Sequence, residues 1–207
     1  IKLTSSVYKD LINKEVYEIF DFAEFLKNNE QFQDSIKYYS KLIKLIDKNH
    51  NLYAQALDGR GVSYERTNQW DKAEIDLLNS LSISPDDAYV INYLAYSWIE
   101  KGINIEKSLD MLKKANRLRP NDGYITDSLG WALFKLKKYK EAKKYMQLAV
   151  RLMASDPVIN DHYADVLWTN NNFIQARYYW SYVLNLEETE DKLKKEIEHK
   201  LLFGLKS

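Results

Sequence analysis

Small residues return at a nearly constant interval along this chain. Ala23, Gly61, Ala95, Gly130 and Ala164 are separated by 38, 34, 35 and 34 residues. A second series, Ser35, Ala73, Ser108, Ala142 and Ala176, follows the first at distances of 12, 12, 13, 12 and 12. A third, Leu42, Ser80, Ala115, Ala149 and Val183, lies seven residues further on in every case. Self-similarity at this period marks an array of supersecondary units, none of which buries its apolar face alone.

The residues around that register read as helix. Apolar side chains recur at three and four positions, as in AEFLKNNEQFQDSIKYYSKLI, which sets one apolar stripe along a helix. Three prolines and six glycines are too few for the many tight turns of an all-β protein. Pro85 and Pro120 each fall twelve residues after Ala73 and Ser108, and Pro157 opens the last unit. Proline lacks an amide donor and restricts the residue before it, so SPDDA, RPNDG and SDPVIN read as loops with Asp or Asn as helix caps. A glycine inside a helix costs about 1 kcal/mol relative to alanine. Gly130 therefore reads as a place where two helices approach closely, with Ala142 as the expected partner.

With this register in place, the chain resembles the tetratricopeptide repeat family, whose unit carries Leu-Gly-x-x-Tyr, Ala-x-x-x-Phe and a closing proline. One unit reads Leu129-Gly130-x-x-Leu133 and Ala142-x-x-x-Met146, and another reads Gly61-x-x-Tyr64, Ala73-x-x-x-Leu77 and Pro85. VINYLAYSWIEKGI, DGYITDSLGWALFKLKKYKEA and DPVINDHYADVLW resemble the C-terminal repeats of larger bacterial members. The resemblance implies an all-α fold, a right-handed α-α superhelix of five helix pairs plus a C-terminal capping helix. The units expected are 16–53 with a long loop, 54–87, 88–122, 123–156 and 157–188, with the cap in 189–207, where Leu193, Ile197, Leu201 and Leu202 form an apolar stripe to cover the fifth unit. Residues 1–15 read as a lead-in or the remnant of a preceding repeat. The start IKLTSSVYKD lacks an initiator methionine and any apolar signal core, so the chain reads as a piece of something longer. Any targeting signal would lie outside it, which leaves bacterial cytoplasm and periplasm both open.

Composition removes several functions. Thirty basic and thirty acidic side chains give no net charge, against the basic excess of a phosphate-driven nucleic-acid binder. The lysines at 135, 137, 138, 140, 143 and 144 straddle a turn and an amphipathic helix, and read as a solvated face. No cysteine is present, and His50, His162 and His199 have no metal-ligand partner at helical spacing. Asp161, His162 and Asp165 come nearest to a cluster, but two carboxylates make a poor cation site and read as solvated. No catalytic residue, cofactor or metal is expected, and no apolar run is long enough to cross a bilayer.

In the family's superhelix the first helix of each unit lines the concave side. Here the residues so placed are Tyr89, Asn92, Tyr96 and Ile99, then Tyr124, Asp127, Trp131 and Phe134, then Val158, Asp161, Asp165 and Trp168. Aromatic stripes with an acidic border commonly mark binding surfaces. Their expected role is to hold a peptide or helix of a partner protein, with the aspartates favouring basic or aliphatic side chains. The Lys, Asn and Arg with which some members clamp a chaperone's terminal carboxylate are missing. Two other readings stand beside this one. In the first, the groove is filled by the protein's own further repeats or by a second copy; in the second, the repeats bind RNA.

Overall fold

In a computed structural model of the chain, residues 5–205 are described, with side chains from residue 14 onward. Eleven α-helices make up these residues, and no strand occurs among them. They run α1 (Ser5–Asn28), α2 (Phe32–Leu45), α3 (Tyr53–Arg66), α4 (Trp70–Ile83), α5 (Ala88–Glu100) and α6 (Ile105–Leu118). Then come α7 (Gly123–Lys135), α8 (Tyr139–Leu152), α9 (Pro157–Thr169), α10 (Phe173–Leu184) and α11 (Asp191–Phe203). Residues 5–13 continue α1, while 1–4, the start of the expected lead-in, lie outside the described residues.

The first helix of each pair ends in the same way, for a backbone reason. Gln31, Gln69, Ile103, Lys138 and Asn172 each donate their amide to the carbonyl five residues back, on Leu26, Tyr64, Trp98, Leu133 and Leu167. Glu30, Asn68, Gly102, Lys137 and Asn171, just before those donors, all have φ between 58° and 70°. This is the closing hydrogen bond of a helix followed, two positions past its end, by a left-handed residue. Each left-handed residue stands seven positions after a member of the first small-residue series. The extra residue in the third turn is absorbed by Asn104, also left-handed, which precedes α6. At the other ends, Asp122 and Asp156 accept the amides of Ile125 and Ile159 at 3.0 Å and so cap α7 and α9.

The chain parts into two compact units, residues 1–90 and 91–207. In the first, Val16, Ile19, Ala23, Tyr39, Leu42, Ile46, Leu52 and Ala56 form the core. Two polar contacts fix its helices. The Arg60 guanidinium holds Asp76 through two bonds of 2.6 and 2.9 Å, and Ser35 meets Ser63 at 3.0 Å. Ser35 thus fits a position where three of its four counterparts in the register are alanine, because Ser63 satisfies its hydroxyl. In the second unit, Ala95, Ala132, Ala142, Ala149, Ala164 and Ala176 are buried with Leu112, Leu133, Met146, Val166 and Trp180. Gly130 is indeed a close approach, but the side chain that fills it is Met146, whose Cγ would lie 3.0 Å from an added Cβ.

The last helix departs from its expected stripe. Ile197 is fully buried, and Leu193 and Leu201 are partly buried against the core, but Leu202 is 72% exposed. Nine residues separate Leu193 from Leu202, which places them half a turn apart around a helix of 3.6 residues per turn. The side of α11 that faces the core continues instead through Lys200 to Gly204 and Leu205.

Candidate functional site

The first-helix face of the second unit is built from α5, α7 and α9. At its centre the indole of Trp131 donates to Glu100 at 2.7 Å. That indole stacks on Phe134 at a centroid distance of 4.8 Å and on His162 at 3.9 Å, within 8° and 12° of parallel. Lys135 brings its ammonium to 4.7 Å from the same ring. His162 in turn donates from Nδ1 to Asp127, 2.9 Å away. On α9, Asp161 and Asp165 together hold the Lys200 ammonium at 2.7–2.9 Å, and Trp180 donates to Asp165 at 3.0 Å.

These groups are interior. Trp131, Asp127, Asp161, His162 and Asp165 are only 5–7% exposed. The expectation of a solvated Asp161, His162 and Asp165 is therefore corrected. Each of these charges has a neighbour of opposite sign two helices away along the chain, α7 with α9 and α9 with α11, which is what buried charges require. The partners lie about one repeat ahead: 35 residues from Asp127 to His162, 35 from Asp165 to Lys200, and 31 from Glu100 to Trp131. That spacing was the available signal for His162 and Lys200, neither of which stood among the expected face residues.

The titrations follow from this packing. Burial opposes the imidazolium of His162, but the carboxylates of Asp127, Asp161 and Asp165 outweigh it and raise its pKa. Burial pushes the Asp165 carboxyl up to about 6, and Asp161 adds to the shift while Lys200 opposes it. Burial also lowers the tendency of Lys200 to stay charged, yet Asp165 and Asp161 hold its pKa above the usual lysine value.

The remaining face residues divide by exposure. Ile99 is 1% exposed and sits in the core, so it offers nothing to a ligand. Tyr96, Phe134 and Trp168 are partly buried against that core. Asn92 is half-buried, with a side-chain oxygen that has no partner. Tyr124 and Val158 stand open at 53% and 46%, on the first turns of α7 and α9. Tyr89, on the first turn of α5 and within the first unit, is 55% exposed. A pocket of about 290 Å³ lies beside Val158, lined by Asp156, Glu188, Glu190, Lys192, Leu193 and Glu196. Among the described residues, no three His, Asp or Glu side chains gather as a metal site, and no helix is long and apolar enough to cross a membrane.

Comparison with known proteins agrees with the repeated turns and small-residue register. The family model described as Tetratricopeptide repeat matches residues 13–189. The chain belongs to the tetratricopeptide repeat family. A TPR repeat-containing protein of Pseudomonas aeruginosa is 28% identical over 129 residues, which is 62% of this chain and 21% of that protein. The chain thus spans about a fifth of the length of that curated relative. Among solved structures, PilF of Pseudomonas aeruginosa matches with a TM-score of 0.73 at 17% identity, covering 92% of this chain and 89% of that one. A thermophilic TPR protein of Thermus thermophilus matches at 0.73 and 14% identity, over 91% of this chain and 100% of that one. MamA of Desulfovibrio magneticus matches at 0.68 and 15%, over 85% and 97%. At these identities the likeness is one of fold, the α-α solenoid of tetratricopeptide repeats. Repeats of this family are commonly protein–protein interaction modules.

Proposed function

We propose that this tetratricopeptide repeat chain is a non-enzymatic scaffold that takes a segment of a partner protein on the first-helix face of its second unit. The observation that carries the reading is the open end of that face. Exposed Val158 lines a pocket whose rim bears Asp156, Glu188, Glu190 and Glu196 against a single Lys192, and exposed Tyr124 reaches that rim at Asp156. An aromatic ring beside an acidic rim suits a lysine or arginine side chain, whose stem packs on the ring while its charge meets the carboxylates. The non-enzymatic reading draws support from His162, whose hydrogen bonds go to Asp127 and whose ring is covered by Trp131. A general base needs a reacting group within hydrogen-bond reach.

Capture of partners with the unaltered chain and with Tyr124→Ala tests this. A protein recovered by the first and lost with the second supports the surface, provided the variant's stability stays within about 0.5 kcal/mol. Equal recovery removes Tyr124 from it. The assembly reading draws on a separate observation, that α11 of the same chain lies on α9. Sedimentation across concentration tests that reading: reversible association, lost on charge reversal at Asp161 and Asp165, supports it.

A further inference from the structure

Lys200 occupies a place on α9 with the properties of a lysine receptor. Its ammonium lies 2.7 and 2.8 Å from the two oxygens of Asp161 and 2.9 Å from both oxygens of Asp165. Both carboxylates are 6% exposed, and the Trp180 indole fixes Asp165 from behind. Four residues beyond Lys200, Gly204 lies so close to the Trp168 indole that a Cβ there would overlap the ring, and its φ of 73° also favours glycine. Trp168 is itself set by Trp180 at 5.2 Å and Phe173 at 4.7 Å. The α9 face therefore presents an acid pair and, about one helical turn along, a flat indole. The element that matches it carries a lysine with a glycine four residues later.

In this structure α11 supplies the lysine and its C-cap the glycine, and its other anchors are Leu193, Ile197 and Leu201, packed on the core beside α10. Of its thirteen residues only Ile197 is fully buried, while Leu202 and Phe203 are 72% and 71% exposed. Arg177 adds a hydrogen bond to the Leu201 carbonyl. When α11 lifts away, two carboxylates on α9 lose their cation at once, so the open site calls for another one in the same place.

We propose that the inner face of α9 is a docking site for a helix of a partner protein that presents lysine and, four residues on, glycine. In this proposal α11 holds the site shut until such a helix displaces it. It rests on the scaffold reading and centres on Asp161, Asp165 and Trp168 rather than Tyr124, although α11 itself supplies Lys192, Leu193 and Glu196 to the pocket beside Val158. A tethered α11 competes at an effective concentration in the millimolar range. The apparent affinity of a competitor then falls in proportion to the closed fraction.

The probe is a labelled synthetic peptide of residues 186–207, added to the full chain and to two variants that loosen α11 by unrelated means. Lys200→Asp removes the cation, and Gly204→Ala pushes the helix off Trp168 while leaving every charge in place. The expected result is peptide binding at least about tenfold tighter to either variant than to the unaltered chain. Hydrogen exchange in residues 191–203 should quicken in both variants while exchange in α7 and α8 stays unchanged. A peptide carrying Lys200→Asp should lose at least about tenfold in affinity. Failure of the peptide to bind either variant, or equal binding of both peptides, overturns the proposal. Unfolding of both variants as a whole does so too, since α11 would then be an inseparable part of the core. Neither variant touches Tyr124, so failure here leaves the capture result standing, and a failed capture leaves this result standing.

Discussion

The imidazole of His162 lies 3.9 Å from the indole of Trp131 and 12° from parallel, while its Nδ1 reaches Asp127 at 2.9 Å. One ring thus joins α9 to α7 twice, by stacking and by a charged hydrogen bond. Aromatic packing and ionisation are coupled at this point. Trp131 is consequently part of what holds two repeats together, rather than a side chain offered to solvent.

Trp131→Ala is expected to destabilise the chain by about 3–5 kcal/mol, the range for a buried tryptophan. Besides leaving a cavity between Phe134 and His162, it strips Glu100 of its indole donor. Urea unfolding measures the loss. A change below about 1 kcal/mol would move Trp131 out of the core and back to the exposed face.

Stability should fall as pH rises from about 5 to 8. A histidine whose folded pKa is raised contributes stability that is full below its unfolded value near 6.5 and lost as pH climbs through the folded value. The buried carboxyls act with the same sign. Asp165 and Asp58 are both pushed up to about 6, chiefly by burial, so the fold binds their protons more tightly than the unfolded chain does. That contribution disappears between about pH 4 and 6. Melting temperature against pH checks the sum, and His162→Gln should flatten the part of the slope above pH 6.5. A melting temperature that climbs over this window would contradict the assignment.

Ala142→Leu is expected to cost about 1–3 kcal/mol, because extra carbons in a filled helix contact force shifts in side chains and backbone. Ala142 has no exposed surface and packs in the same cluster as Met146 and Ala149. An unchanged urea midpoint would mean that the α7–α8 contact has slack.

Lys137→Gly should stabilise the chain by about 0.5–1 kcal/mol, although glycine usually weakens structure. Lys137 follows the end of α7 with φ 58°, where a Cβ is strained, and its counterpart after α5 is already Gly102. Thermal melting of the single variant is sufficient. A loss of stability would mean that the Lys137 side chain makes a compensating contact.

The sequence by itself carried the helical class and the repeat, for reasons that act at short range. A residue's helical preference and the left-handed turn seven positions after Ala23, Gly61, Ala95, Gly130 and Ala164 depend on neighbours within a few residues. The small residues repeat because every helix pair meets the same packing demand. What the acids and aromatics do depends on helices a whole repeat away, and only the tertiary structure decides it. Asp127, Asp161 and Asp165 read as a solvated or ligand-facing border until α9 and α11 bring His162 and Lys200 against them. Leu202 reads as part of an apolar stripe until the rotation of α11 turns it to solvent and places Gly204 on Trp168. A side chain's partner is set by the rotation and offset between two packed helices. No local pattern of residues encodes either quantity.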